Sequence, residues 1–248
     1  MALINVGIID NFPVTANEAA KKREPSLANI SSFSSLQKIP DDAASENFDL
    51  ITSDEPRGIG LQRIQLVKGF EGYLQQFLNP TNEIYFIAWA WDLSGQPLYF
   101  YPGPGKGNQN LIIPIKVGMA REFIGQGINL FPKRKVKGGI ALRVQLWESD
   151  QQIRNVGKTI SATAREIKKS RLNHLLSVVS TATGLTGTTI TLIKEAAVEL
   201  SGLIGKILQK NGDDYVDLFE GYYASDRNWH TGKENYMGYS SQITFDKY

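Results

Sequence analysis

The side chains that most often do chemistry in proteins are scarce in this sequence. Cysteine is absent, and His174 and His230 are the only two histidines among the 248 residues. The lack of cysteine excludes disulfides, thiolate zinc sites, iron–sulfur clusters and a cysteine nucleophile. His174 has no carboxylate at helical spacing to orient it, and His230 falls in a predicted loop. We therefore predict no catalytic residue of these types, and we expect no cofactor.

Acidic residues offer a second kind of chemistry. Asp213 and Asp214 are adjacent, and Glu220 follows Asp217 three residues later. A glycoside hydrolase needs two carboxylates at a fixed separation in space. The sequence does not give that separation, so an enzyme with acidic catalytic residues ranks third among the functions that we consider.

Basic residues are concentrated in one stretch, where Lys133, Arg134, Lys135 and Lys137 surround a single valine. A solvated turn between strands explains this stretch most simply, and contact with anionic lipid headgroups is the functional alternative. The formal net charge is only +2, and few aromatic residues interleave with these charges. Both observations argue against nucleic acid as a partner.

The spacing of apolar residues predicts an amphipathic helical hairpin from about Ala164 to Lys210. Lys168, Lys169 and Arg171 make its first part basic, and no charged residue occurs from Leu175 to Ile193. The apolar positions at spacings of three or four residues include Leu175, Leu176, Val179, Ile193, Leu200, Leu203, Ile204 and Ile207. Two interpretations stay open. The helices either pack permanently on a sheet, or swing out so that their basic ends meet anionic headgroups.

Strand patterns dominate the rest of the chain from Gly58 onward. Glu83–Asp92 is apolar on both faces, so a layer of structure should cover each side of this strand. Leu142–Trp147 alternates, with Leu142, Val144 and Leu146 expected to point inward. Val117–Ile124 is predicted as a short helix that ends at two glycines.

These elements predict a mainly β fold with an α insertion, of the α+β class. We expect an antiparallel β-sandwich over residues 58–248 that carries the helical hairpin at about 164–210. The hairpin could cover the aromatic face around Trp89 and Trp91. Residues 1–57 are predicted to form an extended N-terminal arm, in which Met1–Asp10 is a short strand or a docking segment.

The N-terminus also bears on the compartment. Met1–Asp10 has no basic residue and only a short apolar run, so we expect no secretory signal. No stretch reaches the ~18 consecutive apolar residues of a membrane span. We expect a cytoplasmic or membrane-associated protein, and export by a route that needs no signal stays open.

The stretch Leu142–Asp150, continued by Asn155–Ile160, resembles one hairpin of the C2-type domains, which are β-sandwiches that bind calcium and phospholipid. In that family an alternating strand ends in an aspartate-rich loop, and a hydrophobic-glycine pair opens the next strand. Val156-Gly157 matches that pair. The resemblance covers about a tenth of the chain, and it implies a sandwich fold and a lipid-binding role.

Calcium is the metal that this resemblance raises. It takes ~6–8 oxygen ligands, many of them carboxylates. The weak candidate ligands here are only Asp92, Glu148 and Asp150. The resemblance therefore implies a calcium-independent relative.

Taken together, the sequence favours a non-enzymatic binding protein. The first hypothesis is a membrane-docking or membrane-active protein, toxin-like in kind, that uses the helical hairpin and the basic stretch on an anionic membrane surface. The alternative is a soluble protein–protein interaction or assembly module whose N-terminal arm docks onto a partner or a neighbouring copy.

Overall fold

The computed structural model describes residues 3–6, 47–48, 51–68, 81–103, 112–149, 153–179, 185–210 and 213–248. In these ranges the chain forms an outer sheet, a central sheet and a layer of helices. The predicted fold class, a mainly β sandwich with a helical insertion, is confirmed.

The central sheet is antiparallel except at one edge. Its strands are β1 (Leu3–Val6), β4 (Thr81–Trp91), β5 (Tyr99–Tyr101), β6 (Ile113–Lys116), β9 (Gly139–Glu148) and β11 (Asp214–Ala224). The order is β1-β11-β9-β4-β5, and β6 pairs with the first half of β4. At the edge, β1 runs parallel to β11. The prediction of a short N-terminal strand is thus confirmed for residues 3–6.

The outer sheet is built around one long strand. Its strands are β3 (Arg57–Leu66), β7 (Ala120–Glu122), β8 (Ile128–Arg134), β12 (Gly232–Met237) and β13 (Ser241–Lys247). The order is β12-β13-β3, with β7 and β8 paired to successive parts of the far side of β3. A separate pair joins β2 (Asn47–Phe48) to β10 (Leu185–Thr186). The rest of the predicted arm lies largely outside the described residues.

The helical layer consists of α1 (Ile153–Lys169), α2 (Arg171–Val179) and α3 (Gly187–Lys210). The helical region therefore begins eleven residues before the predicted start at residue 164. Its apolar positions, Ile153, Val156, Ile160, Ala164 and Ile167, are three or four residues apart, which is the period of a helix. The expectation that Asn155–Ile160 forms a strand is therefore wrong.

The two apolar faces of strand β4 account for the three layers of the fold. Ile84, Phe86, Ala88 and Ala90 point toward the outer sheet and belong to the core of the sandwich. Tyr85, Ile87, Trp89 and Trp91 point the other way and pack against apolar residues of α1, α2 and α3. Both faces are buried, as the sequence predicts, and the helices cover the tryptophans. The inward residues Leu142, Val144 and Leu146 of β9 also lie in the sandwich core.

The segment Val117–Ile124 differs from its prediction. It contains a turn at residues 117–119, the short strand β7, and a second turn near Gly125. Gly118 and Gly125 both have positive φ, a left-handed conformation that ends regular structure. The helix predicted for Val117–Ile124 is therefore wrong. The turn at residues 117–119 lies at one end of the sandwich.

Candidate functional site

The long strand β3 defines the two ends of the sandwich. Its ten residues run from Arg57 to Leu66, a length of about 30 Å at 3.3 Å per residue. At the Leu66 end, three segments come together: the end of β3, the β6–β7 turn and the β12–β13 turn. Backbone hydrogen bonds join them, from Gly118 N to Leu66 O (2.8 Å) and from Val67 N to Ser240 O (2.7 Å).

These segments carry apolar side chains that face solvent. We call this group the apolar tip; its members and exposed fractions are Val67 (40%), Val117 (43%), Met119 (62%), Met237 (58%) and Tyr239 (48%). Single exposed apolar residues are ordinary, but a group on adjacent turns marks an interaction surface. The tip is therefore the strongest candidate for a contact with another body.

Two lysines accompany the tip. The Lys68 ammonium lies 3.6 Å from the centre of the Tyr239 ring, a cation–π contact. Lys116 is exposed and precedes Val117 directly. The described residues of the three tip segments include no acid; the exposed Glu122 follows Met119 by three residues on β7 and lies 3.8 Å from Arg63. The tip thus combines apolar side chains with positive charge.

A buried carboxylate holds one of the tip turns in place. Asp217, which is fully buried, accepts hydrogen bonds from the backbone N–H groups of Tyr239 (3.2 Å), Ser240 (3.0 Å) and Ser241 (2.8 Å), and from the Ser241 hydroxyl (2.6 Å). Burial raises the pKa of the Asp217 carboxyl, and these hydrogen bonds oppose that rise. A side chain at Gly238 would collide with the carboxylate. The turn that presents Met237 and Tyr239 is therefore rigidly anchored.

The basic stretch lies at the opposite end of the sandwich. Its strand β8 pairs Arg134 with Arg57, at the start of β3. Lys133 and Lys135 are exposed there, and Lys137 is half-buried. Arg134 is different, because it forms an ion pair with the fully buried Asp92 (2.9 Å) and lies over the Phe131 ring. Its charge is therefore neutralised inside the protein.

The basic residues at the junction of α1 and α2 lie at the same end. Leu93 N donates to Lys137 O (2.9 Å), and Leu98 N donates to the Asn173 side chain (3.0 Å). The Asn173 amide in turn donates to Lys168 O. The short turn after β4 therefore contacts both basic segments. Lys168, Lys169 and Arg171 are exposed, and Arg171 lies 3.9 Å from Glu199.

The residues predicted for the amphipathic hairpin mostly face the central sheet. Leu176, Val179, Ile193, Leu200 and Ile204 are buried in the core beneath the helices. Leu175 and Ile207 are half-buried, and Leu203 is 37% exposed. The described side chains of the hairpin therefore offer little apolar surface to a membrane.

A polar group lies under α3. Arg143 on β9 forms a 2.6 Å ion pair with Glu220 on β11, and it donates to Ala197 O and to the Ser201 hydroxyl, both at 2.5 Å. Among the described residues, the Gln145 amide nitrogen and the Trp89 indole nitrogen on the same face have no hydrogen-bond partner. The sheet surface beneath the helices thus contains buried polar side chains as well as the apolar core.

The candidate metal ligands do not form one site. Asp92 follows the last residue of β4, whereas Glu148 pairs with Ile84 near its first residues, about 25 Å away along the strand. Asp92 is engaged by Arg134, Ser94 and the Lys137 backbone. Asp150 lies outside the described residues. No group of three potential metal ligands occurs in the part of the chain that the structure describes.

The two members of each acidic pair lie in different environments. Asp217 lies on the face of β11 toward the outer sheet, whereas Glu220 lies on the face toward the helices. Asp213 is buried and accepts a 2.6 Å hydrogen bond from the Tyr85 hydroxyl, whose pKa is raised by burial. Asp214 is exposed. Asp217 and Glu220 are therefore on opposite faces of one sheet.

The sequence analysis missed the apolar tip. Its residues are far apart along the chain, at positions 67, 117–119 and 237–239, and only the strand order brings them together. One local signal was present, since glycines at 118 and 238 each lie between two large apolar residues. That pattern is typical of a turn that displays side chains.

A comparison with solved structures finds weak structural similarity. No family model matches the chain, and no curated protein matches it. A solved structure of human GIVD cytosolic phospholipase A2, in complex with a methyl gamma-linolenyl fluorophosphonate inhibitor and terbium chloride, has a TM-score of 0.31 and 5% sequence identity. The match covers 80% of this chain and 18% of that chain. A similarity of this size establishes no common fold.

None of the helices in the described ranges is long and apolar enough to cross a bilayer.

Proposed function

We propose that this protein docks on the surface of anionic membranes through the apolar tip. The carrying observation is the group of five exposed apolar side chains on two turns and the end of β3, which backbone hydrogen bonds join, with Lys68 and Lys116 beside them. Apolar side chains that enter the interface gain free energy, and nearby lysines are attracted to anionic headgroups. Rigid turns keep the loss of conformational entropy on docking small.

The tip suits a bilayer better than a flat protein partner. Its side chains project into solvent from the β12–β13 hairpin turn, from the β6–β7 turn between the two sheets and from the end of β3. Such projections can enter the headgroup region to the ~5–10 Å depth of interfacial proteins. Transfer of one methionine side chain from water contributes ~1.5–3 kcal/mol when burial is complete. Partial burial of the five side chains is therefore enough for reversible attachment.

Co-sedimentation with vesicles tests the proposal. The full chain should bind vesicles that contain phosphatidylserine and bind phosphatidylcholine vesicles more weakly. Met119→Asp and Met237→Asp should each weaken binding by about tenfold or more, because a charge replaces a side chain that enters the interface. Equal binding by the wild type and both variants would refute the proposal.

Ile124→Asp provides a matched control. Ile124 is 100% exposed but lies on the turn after β7, where Phe123 N donates to Gln62 O. That position is about 13 Å below Leu66 along β3, beyond the expected docking depth. The same change of residue type should leave vesicle binding within about twofold of the wild type.

The release of the helical hairpin stays a prediction. Because the chain has no cysteine, Ser201→Cys would place a single thiol under α3, where Ser201 is buried. If the helices leave the sheet on a membrane, this thiol should react with a thiol reagent only when vesicles are present. If the thiol stays unreactive when vesicles are present, the helices remain on the sheet and docking involves the tip alone.

The assembly alternative has one observation in its favour. The strand β1 adds to the edge of the central sheet beside β11, a pairing that an N-terminal strand of another copy could also make. Deletion of residues 1–54 should then convert an oligomer to a monomer in sedimentation. A wild-type chain that is monomeric at every concentration would exclude this alternative.

A further inference from the structure

The end of the molecule opposite the apolar tip is a second candidate surface. We call it the basic end, and it consists of Lys133, Lys135, Lys137, Lys168 and Lys169. Four of the five side chains are exposed, and Lys137 is half-buried. We infer that the basic end binds the surface of a second anionic bilayer while the tip is docked in the first, so that one molecule bridges two membranes.

The first step of the argument is position. The β8 residues Arg134 and Ile128 pair with Arg57 and Leu61, which orients the basic stretch away from Leu66 and the tip. The α1–α2 junction is connected to the same end through Asn173 and Leu98. Tip and basic end are therefore separated by about 30 Å, the length of β3. When the tip is docked end-on in one bilayer, the basic end faces away from that bilayer.

The second step is charge. Arg134 is neutralised by Asp92, and Arg171 lies beside Glu199, so neither is counted in the basic end. The exposed acids of this end, Asp54, Glu55 and Asp226, lie close enough to Arg57 to raise its pKa against the effect of burial. Arg57 therefore offsets part of their charge. The five lysines remain as a positive surface.

The third step is the small apolar component of this end. Ile51, which is 55% exposed and accepts a hydrogen bond from Gly138 N (2.8 Å), is the one exposed large apolar side chain among the described residues beside the basic stretch, whereas the tip has five. A surface made mainly of lysines attracts anionic headgroups with little insertion, and its binding is reduced by salt. The two ends should therefore differ in chemistry: the tip inserts, and the basic end adheres. This inference rests on the proposed docking of the tip.

Vesicle aggregation tests the bridge separately from docking. Wild-type protein should increase the turbidity of phosphatidylserine vesicles, and 0.5 M salt should reverse the increase. Lys133→Glu with Lys135→Glu should lower aggregation by about thirtyfold or more, because each lysine near an anionic surface contributes about a fivefold effect and reversal adds to it. Binding of this variant to supported single bilayers should stay within about twofold of the wild type.

The controls separate the outcomes. Lys133→Arg with Lys135→Arg keeps both charges and should aggregate vesicles like the wild type. Met119→Asp should lose both binding and aggregation, which would report failure of docking. Full aggregation by the double glutamate variant, or wild-type binding without any aggregation, would overturn the bridge while leaving tip docking intact.

Discussion

At the scale of single residues, Asp217 connects the fold to the proposed function. It lies on the central sheet, yet its carboxylate holds the β12–β13 turn of the outer sheet. All of the groups that hydrogen-bond to the Asp217 carboxylate are donors. A carboxylate can accept from all of them because it has no donor of its own. The rigidity of this part of the tip therefore depends on one buried charge.

Asp217→Asn should test this role. The amide has the same shape but turns an N–H group toward N–H donors, which leaves buried polar groups without partners. We expect a loss of about 2–3 kcal/mol in the free energy of unfolding, measured by urea denaturation. The control Asp246→Asn changes a half-buried aspartate of β13 and should cost less than about 0.5 kcal/mol. Equal stability of the two variants would contradict the anchoring role.

Lys194 on α3 gives a pH-dependent prediction. Burial lowers the pKa of Lys194 from 10.5 to about 8, and the nearby Glu220 opposes this shift. Between these two values the unfolded chain binds more protons than the folded chain, so stability rises as the pH increases. From pH 7.5 to 9.5 the wild type should gain about 1 kcal/mol relative to Lys194→Met, after allowance for partial solvent screening.

Urea denaturation at the two pH values measures this difference. The range stops at pH 9.5 because burial raises the pKa of Tyr85, Tyr215 and Tyr223. Above about pH 10 the unfolded chain loses tyrosine protons that the folded chain keeps, and stability then falls. Parallel pH profiles for the wild type and Lys194→Met would show that Lys194 is not buried as described.

At the scale of elements, α3 is held to the central sheet by both apolar packing and the Arg143 group. Glu220→Gln removes the partner charge of a guanidinium whose side chain is only 8% exposed. We expect a loss of about 2 kcal/mol in the free energy of unfolding, reduced from that of a fully buried pair because Glu220 is 27% exposed.

A double-mutant cycle measures the coupling. Arg143→Met with Glu220→Gln removes both charges, so its cost should be smaller than the sum of the two single costs. Strict additivity would mean that the pair does not interact in solution.

The sequence predicted elements better than their arrangement. The strand β4 was predicted with a layer on each face because both of its faces are apolar, and that reasoning is local. Asn155–Ile160 belongs to helix α1, as the three- and four-residue spacing of its apolar side chains indicates; the family pattern predicted a strand there. The residues of the apolar tip lie on two turns and at the end of β3, and their proximity depends on the order of strands in the sheets. That order is a tertiary property, which short sequence patterns do not encode.

At the scale of the whole molecule, the fold separates two chemically different ends. Exposed apolar side chains occupy the Leu66 end of the sandwich, and lysines occupy the Arg57 end. The helices cover the face of the central sheet that points away from the outer sheet, and most of the apolar hairpin residues are buried there. The proposed docking of the tip needs no unfolding, because its side chains are already exposed.

The most direct test of docking by the tip compares two single-cysteine variants of this cysteine-free chain. Met119→Cys and Lys135→Cys would each carry an environment-sensitive dye, one at the tip and one at the basic end. On phosphatidylserine vesicles, the dye at position 119 should shift to shorter wavelengths and be quenched by lipids brominated in their acyl chains. The dye at position 135 should not be quenched. Quenching at position 135 without quenching at position 119 would contradict docking through the apolar tip.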